Sequence, residues 1–138
     1  MNSNASVWKT EQEINQTVME LRELIMHQYF QKALEKIEEL PVRIELSRYQ
    51  KLTEQIADLE EICRNNLRLL AENELTKNMA VEGKLEESFE KSDKLLLQAY
   101  AVPTLYFITP STLEEIHRTK DWIKCKIEKE RYSKSFWY

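Results

Sequence analysis

The side chains best suited to bind a metal ion are two histidines and two cysteines, which lie far apart in this 138-residue chain. They are His27, Cys63, His117 and Cys125. Zinc ligands usually come in pairs separated by a few residues, and this sequence contains no such pair. We therefore predict no metal site and no cofactor. Cysteines without a CxxC pairing also fit a reducing compartment, in which Cys63 serves as a small apolar side chain.

The sequence also contains no glycine-rich phosphate loop and no GxSxG motif, and its many carboxylates fit solvated helix faces. One local pattern, Arg22, four residues, His27, one residue and Tyr29, resembles the motif of the HEPN ribonucleases, all-α proteins of similar size. The resemblance implies that the Arg and the His act on RNA phosphate, by charge stabilisation and proton transfer. Glu23 departs from the residue usual after the Arg, and the motif lies close to the N-terminus. The alternative is a plain helix surface, and we predict a protein without catalytic residues.

A helix that packs along another helix is predicted for residues 49–70. Apolar side chains recur there at alternating intervals of three and four residues, with polar residues between them. The stripe is narrow, so this helix needs a partner helix, either from the same chain or from another protein. The positions are Tyr49, Leu52, Ile56, Leu59, Cys63, Asn66 with Leu67, and Leu70.

Few residues in the sequence interrupt helices: there are three prolines and one glycine, Gly83. This composition predicts an all-α fold of long helices, an elongated coiled-coil and helical-hairpin module. Helices are expected from Thr10, in a capping box with Glu13, to residue 40, then from about 42, from about 84 to 100 and from 111 to 133. We expect residues 1–9 to be a loose leader. Residues 10–138 are expected to form one elongated domain, and the family resemblance described below implies that it has a stalk-like part (10–82) and a hairpin (84–133).

Three further expectations concern the second half of the chain. Between residues 71 and 84 the apolar stripe fades, because Asn73 and other polar residues interrupt it, and Gly83 predicts a bend. Residues 101–110 are rich in large apolar side chains, which indicates a connection tucked under the helices or a contact surface. The last helix has Thr109 or Ser111 as its N-cap, and either Trp122 or Ile123 points inward.

The net charge of −4 is spread unevenly. From residue 113 onward there are seven Lys or Arg and five Asp or Glu, whereas the preceding part has 13 basic and 19 acidic residues. Nucleic-acid-binding and lipid-binding segments usually carry denser basic clusters, so a solvated helix face is the favoured interpretation and no nucleic acid is expected as a partner. We also expect no signal peptide, because residues 1–16 are polar, and no membrane span.

The order of these features resembles the Mod(r) domain, which is found in a sorting subunit of the endosomal ESCRT-I complex. The resemblance covers about 100 residues in three blocks: YFQKALEKIEELP at 29–41, LEEICRNNL at 59–67, and the helix from 113 to 132 with its spaced lysines and Trp122. Thr112, Lys124 and Lys126 depart from the Phe, His and Arg of that family, and the turn before the last helix lacks its usual glycine.

The resemblance implies a non-enzymatic scaffold subunit that sorts ubiquitinated cargo into multivesicular bodies. Its partners would be other helical subunits, and its location the cytoplasm, with at most peripheral association with endosomal membranes. A self-contained helical bundle, acting as an adaptor or inhibitor, is the alternative, and a HEPN-type ribonuclease is the second alternative. The residues expected at the partner interface are Tyr49, Leu52, Ile56, Leu59, Leu67, Leu113, Ile116 and Trp122.

Overall fold

A computed structural model of the chain describes residues 11–40, 50–103 and 107–137, except the side chains of residues 50, 52 and 134–137. All five elements in this part of the chain are helices, which confirms the all-α prediction. The expected leader, the capping box at Thr10 and the helix break at Pro41 lie outside the described residues. The helices are α1 (Glu11–Met26), α2 (Phe30–Glu38), α3 (Gln50–Val81), α4 (Leu85–Ala101) and α5 (Pro110–Trp137).

The chain divides into two compact units, Met1–Leu67 and Arg68–Tyr138. The division falls inside α3, so this helix contributes its first part to unit 1 and the rest to unit 2. The predicted division into a stalk-like part and a hairpin refers to an assembly with other chains. This division stays a prediction.

Unit 1 contains a helix break that the sequence analysis missed. We expected one helix from residue 10 to 40, but α1 ends at Met26 and Gln28 adopts a left-handed φ of +67°. The Tyr29 N–H donates to the Leu24 carbonyl at 2.8 Å and the Gln28 N–H to the Ile25 carbonyl at 3.0 Å, which is the Schellman pattern of a helix end.

In unit 1, α1 and α2 each carry one apolar stripe, and the break at Gln28 changes the direction of the second stripe relative to the first. A continuous helix would leave about 140° between Ile25 and Phe30, so the two stripes would face different ways. An ion pair of 3.1 Å between Glu20 of α1 and Lys36 of α2 links the two helices after the turn. The buried side chains are Ile14, Val18, Leu21 and Ile25 of α1, and Phe30, Ala33, Leu34 and Ile37 of α2.

Unit 2 consists of three helices, the later part of α3, α4 and α5. The turn after α3 repeats the Schellman pattern, with Gly83 at a φ of +93° and the Lys84 N–H donating to the Met79 carbonyl at 3.0 Å. This confirms the bend predicted at Gly83. At the start of α5, the Thr109 hydroxyl accepts a hydrogen bond of 3.4 Å from the Thr112 N–H, so Thr109 is the N-cap and Pro110 takes the first helical position.

Four ion pairs show which helices of unit 2 are neighbours. Two of them join α3 to the other helices, Glu72 with Lys91 at 3.0 Å and Lys77 with Glu115 at 3.6 Å. The other two cross between α4 and α5, Asp93 with Lys120 at 2.6 Å and Glu86 with Arg131 at 3.7 Å. All are at least partly exposed to water, so each contributes little to stability, and they serve only to identify neighbouring helices.

The interior of unit 2 contains two apolar clusters. The first is formed by Leu69, Leu95, Leu96, Ala99, Ile108 and Ile116, with Val102 and Leu113 packed against it. The second is formed by Ala80, Leu85 and Ile123, with Phe89 and Ile127 packed against it. Part of the 101–110 connection is thus packed under the helices, through Val102 and Ile108. Phe107 in the same connection is 43% exposed.

A polar layer separates these two clusters. In each of the three helices, every buried residue between the members of the two clusters is polar, and each is at most 2% exposed. The polar layer consists of Asn73 and Thr76 of α3, Ser88 and Ser92 of α4, and Thr119 of α5. The apolar stripe of α3 gives way to polar residues after residue 70, but the buried face of the helix continues through Asn73 and Thr76 to Ala80, while Leu75 is 51% exposed.

Hydrogen bonding within the polar layer is incomplete. The hydroxyls of Thr76, Ser88 and Thr119 donate to backbone carbonyls three or four residues earlier in their own helices, at 2.8, 2.8 and 3.1 Å. Asn73 Oδ1 and Ser92 Oγ are buried and have no hydrogen-bond partner within the part of the chain that the structure describes. Such groups lose their contact with water on folding without full compensation, which lowers stability.

Candidate interaction surface

The residues of the HEPN-like pattern lie at a helix end and in a turn. Arg22 is exposed on α1, His27 follows the end of that helix, and Tyr29 precedes α2. His27 Nε2 is 3.4 Å from a carboxylate oxygen of Glu23, and the His27 and Tyr29 rings are 6.3 Å apart. Arg22 and His27 are five residues apart, about 140° around a helix, and Tyr29 lies beyond the break at Gln28, so the three side chains do not share a helix face.

The remaining histidine and cysteines occupy separate places. His117 Nε2 is 3.1 Å from the hydroxyl of Tyr100, in a contact between α4 and α5. Cys125 is exposed on α5, whereas Cys63 is buried in α3. Among the described residues, no group of three or more His, Cys, Asp or Glu side chains is placed to bind a metal ion.

The electrostatic surroundings of Cys63 indicate an unreactive thiol. Its pKa is raised to about 11, mainly by burial and also by the carboxylate of Glu60, against the opposing effect of Arg64. Arg64 is drawn to Glu60 by a hydrogen bond of 2.6 Å. At neutral pH the Cys63 side chain is therefore a protonated thiol that packs as a small apolar group.

The residues predicted at a partner interface differ widely in exposure. Ile56, Leu59 and Ile116 are 1%, 8% and 0% exposed, so this chain already buries them. Leu67 and Leu113 are half-buried, while Tyr49 and the side chain of Leu52 lie outside the described residues.

Trp122 is the predicted interface residue that is most accessible in the described structure. Its side chain is 39% exposed, and Lys126 Nζ lies 4.8 Å from the centre of its ring. The sequence left open whether Trp122 or Ile123 points inward, and the fully buried residue is Ile123. Contact between Trp122 and a partner stays a prediction.

Two large apolar side chains that the sequence analysis missed are exposed on α4. Leu97 and Tyr100 are 70% and 65% exposed and lie three residues apart, which makes them neighbours on the helix surface. Leu97 ends a run of three leucines, and the first two, Leu95 and Leu96, are buried. The sequence signal was available: three consecutive residues cover about 200° of a helix, so a narrow buried stripe cannot include all three.

Comparisons with protein-family models, with curated proteins and with solved structures give no match to this chain. The resemblances to the Mod(r) domain and to the HEPN motif therefore depend on the residues quoted above. None of the described helices has a segment that is both long enough and apolar enough to cross a lipid bilayer.

Proposed function

We propose that this chain is a non-enzymatic scaffold subunit that assembles with other helical proteins. The Mod(r) resemblance supports the more specific proposal of an ESCRT-I-like complex that sorts ubiquitinated cargo into multivesicular bodies. In that setting the chain works in the cytoplasm, with at most peripheral contact to endosomal membranes. Its contribution is to hold partner helices in fixed positions.

The observation that carries this proposal is a pair of large apolar side chains exposed side by side on α4, with a third exposed on α5. Leu97 and Tyr100 of α4 are neighbours, and Trp122 is exposed on α5. Aromatic side chains dominate the energetics of protein interfaces because they bury a large area with few rotatable bonds. Grouped apolar exposure is typical of interaction sites, whereas isolated apolar side chains are ordinary on any surface.

Unit 2 also has features of a preformed binding surface. The side chains beneath the hairpin, such as Leu95, Leu96 and Ile116, are already buried in an apolar cluster. The Tyr100–His117 contact and the Asp93–Lys120 ion pair join α4 to α5 at two points along the helices. A surface that is ordered before binding loses little conformational entropy when a partner docks.

The experiment that tests this proposal is assembly in solution. We would purify the full chain, measure its mass by light scattering and its helicity by circular dichroism, and co-express it with candidate ESCRT-I core subunits. A stoichiometric complex is expected. In it, Leu97→Lys should weaken assembly at least about tenfold, since it places a charge in an apolar contact.

The matched control is Met19→Lys, because Met19 is 63% exposed on α1 in the other unit. This variant should assemble as the wild type does. A folded monomer that forms no complex, or equal losses in both variants, would contradict the scaffold proposal and favour a self-contained helical bundle.

A further inference from the structure

A groove of about 550 Å³ runs between α4 and α5. Its floor is apolar and consists of Phe89 of α4 and Ile127 of α5, both half-buried. These two side chains pack against the second apolar cluster of unit 2, around Ile123. The floor is therefore anchored to the core.

Two cross-links between the helices limit the groove along its length. Towards the C-terminus of α4, Lys120 binds Asp93 at 2.6 Å, and its Nζ lies 5.4 Å from the centre of the Phe89 ring. Towards the N-terminus of α4, Arg131 pairs with Glu86 at 3.7 Å. The groove between them lies along two antiparallel helices. A third helix packs into such a groove through its own ridge of side chains.

The rim of the groove is acidic. Four carboxylates, from Glu86, Glu87, Glu90 and Glu128, face two cations, from Lys124 and Arg131. Glu90 and Glu128 form no ion pair with any other residue that the structure describes. A cationic partner would therefore meet carboxylates that are still available, at the edge of an apolar floor.

We propose that this groove binds a basic amphipathic helix of a partner protein. An apolar residue of that helix contacts Phe89 and Ile127, and Lys or Arg side chains one turn away on either side pair with Glu90 and Glu128. The aliphatic stems of those side chains cover the apolar floor while their charged ends reach the rim. The inference names the partner chemistry of the proposed scaffold, and it rests on that function.

Charge complementarity selects this occupant over the alternatives. An acidic helix would meet an excess of carboxylates on the rim, so repulsion would oppose its docking. A wholly apolar helix would cover the carboxylates of Glu90 and Glu128 without pairing them, which costs free energy.

The probe is a hydrocarbon-stapled helical peptide with one central Leu. It carries one Lys and one Arg a turn before this Leu, and one Lys and one Arg a turn after it. A second peptide carries Glu at those four basic positions. Binding to the full chain is followed by amide chemical shifts. The basic peptide should bind saturably, with a Kd below about 1 mM, and shift the amides around Phe89 and Ile127. The acidic peptide should not bind there.

The test variant is Glu90→Lys combined with Glu128→Lys, which should weaken binding at least about tenfold. Its matched control is Glu35→Lys combined with Glu39→Lys, an identical change in charge at exposed positions of unit 1. Absence of saturable binding, shifts confined to another surface, or equal loss in the control would overturn the inference. A homodimer that only the test variant dissociates would make a second copy the occupant, and would also overturn it.

The same variants separate this inference from the scaffold proposal. If co-expressed partners assemble equally well with the Glu90 and Glu128 variant, the groove inference fails and the scaffold proposal survives. If the basic peptide binds the groove but no complex with helical subunits forms, the scaffold proposal fails, and what remains of the inference is the affinity of the groove for a basic helix.

Discussion

Replacing Ser92 with alanine is expected to stabilise the chain. Ser92 is fully buried in the polar layer of unit 2, and its hydroxyl has no hydrogen-bond partner among the described residues. In the unfolded chain that hydroxyl binds water, so folding removes hydrogen bonds that the structure does not replace. Alanine leaves no polar group to desolvate.

The expected gain is about 1–2 kcal/mol. An unpaired buried hydroxyl costs about 1–3 kcal/mol, part of which is offset by the contacts that its oxygen makes in the packed interior. Alanine also favours an α helix by about 0.5 kcal/mol over serine. With a urea m value of about 2 kcal/mol/M, the midpoint of unfolding should rise by about 0.5–1 M.

Ser88→Ala is the matched control for this prediction. Ser88 lies one turn earlier in α4 and is equally buried, but its hydroxyl donates to the Leu85 carbonyl at 2.8 Å. The change in helix propensity is the same in both variants, so it cancels in the comparison. Loss of a satisfied hydrogen bond costs about 1 kcal/mol, and Ser88→Ala should therefore be neutral or mildly destabilising.

Equilibrium urea unfolding, followed by circular dichroism, measures the two midpoints. Because the chain has two units, hydrogen exchange of the α4 amides should accompany it, so that a change in unit 2 is assigned to that unit. A Ser92→Ala protein that loses as much stability as the Ser88→Ala protein would show that the Ser92 hydroxyl is satisfied in solution. That result would refute the reasoning from burial.

Three other predictions concern turns, thiols and the hairpin surface. Gly83→Ala should destabilise the chain and Gln28→Gly should stabilise it, each by about 1 kcal/mol in urea unfolding, because both positions have a positive φ that favours glycine. No atom crowds a Cβ at Gly83, so the effect there comes from the backbone conformation alone. Changes of the same sign in the two variants would contradict this prediction. At pH 8 a thiol reagent should modify Cys125 quickly and Cys63 only in denaturant, since burial raises the Cys63 pKa to about 11; rapid reaction of two thiols would contradict it. Leu97→Ala should change the free energy of unfolding by less than about 1 kcal/mol, since 70% of this residue is exposed, and a larger loss in the melt would show that Leu97 supports the core.

Helix content and most buried apolar positions could be predicted from the sequence, because scarce helix breakers and regular apolar spacing act locally. The break after α1 could not. The Schellman turn there uses Gln28, whereas the corresponding turn after α3 uses Gly83. A glycine in the sequence indicates a possible left-handed residue, whereas a glutamine gives no such signal. The break at Gln28 therefore depends on the packing of the α1 and α2 stripes, which the local sequence does not specify.

The polar layer escaped sequence reasoning for a different reason. Asn73, Ser88 and Ser92 occupy the positions where helical spacing requires inward side chains, but their chemistry indicates a solvated surface. Helical spacing was the better guide. Side-chain polarity reports only a preference for water, and the two apolar clusters on either side fix which way these positions face.

The candidate interaction surface shows the same limit of local patterns. Trp122 and Ile123 are adjacent, so either fits the end of a stripe that begins at Leu113 and Ile116, and spacing alone leaves the choice open. The choice is made by α3 and α4, since Ile123 joins the second apolar cluster of unit 2 and is fully buried. Trp122 is thereby turned towards the surface. Which side chains of α5 stay accessible is thus determined by contacts between distant segments, which is why the α5 residues predicted at the interface include the buried Ile116 as well as the exposed Trp122.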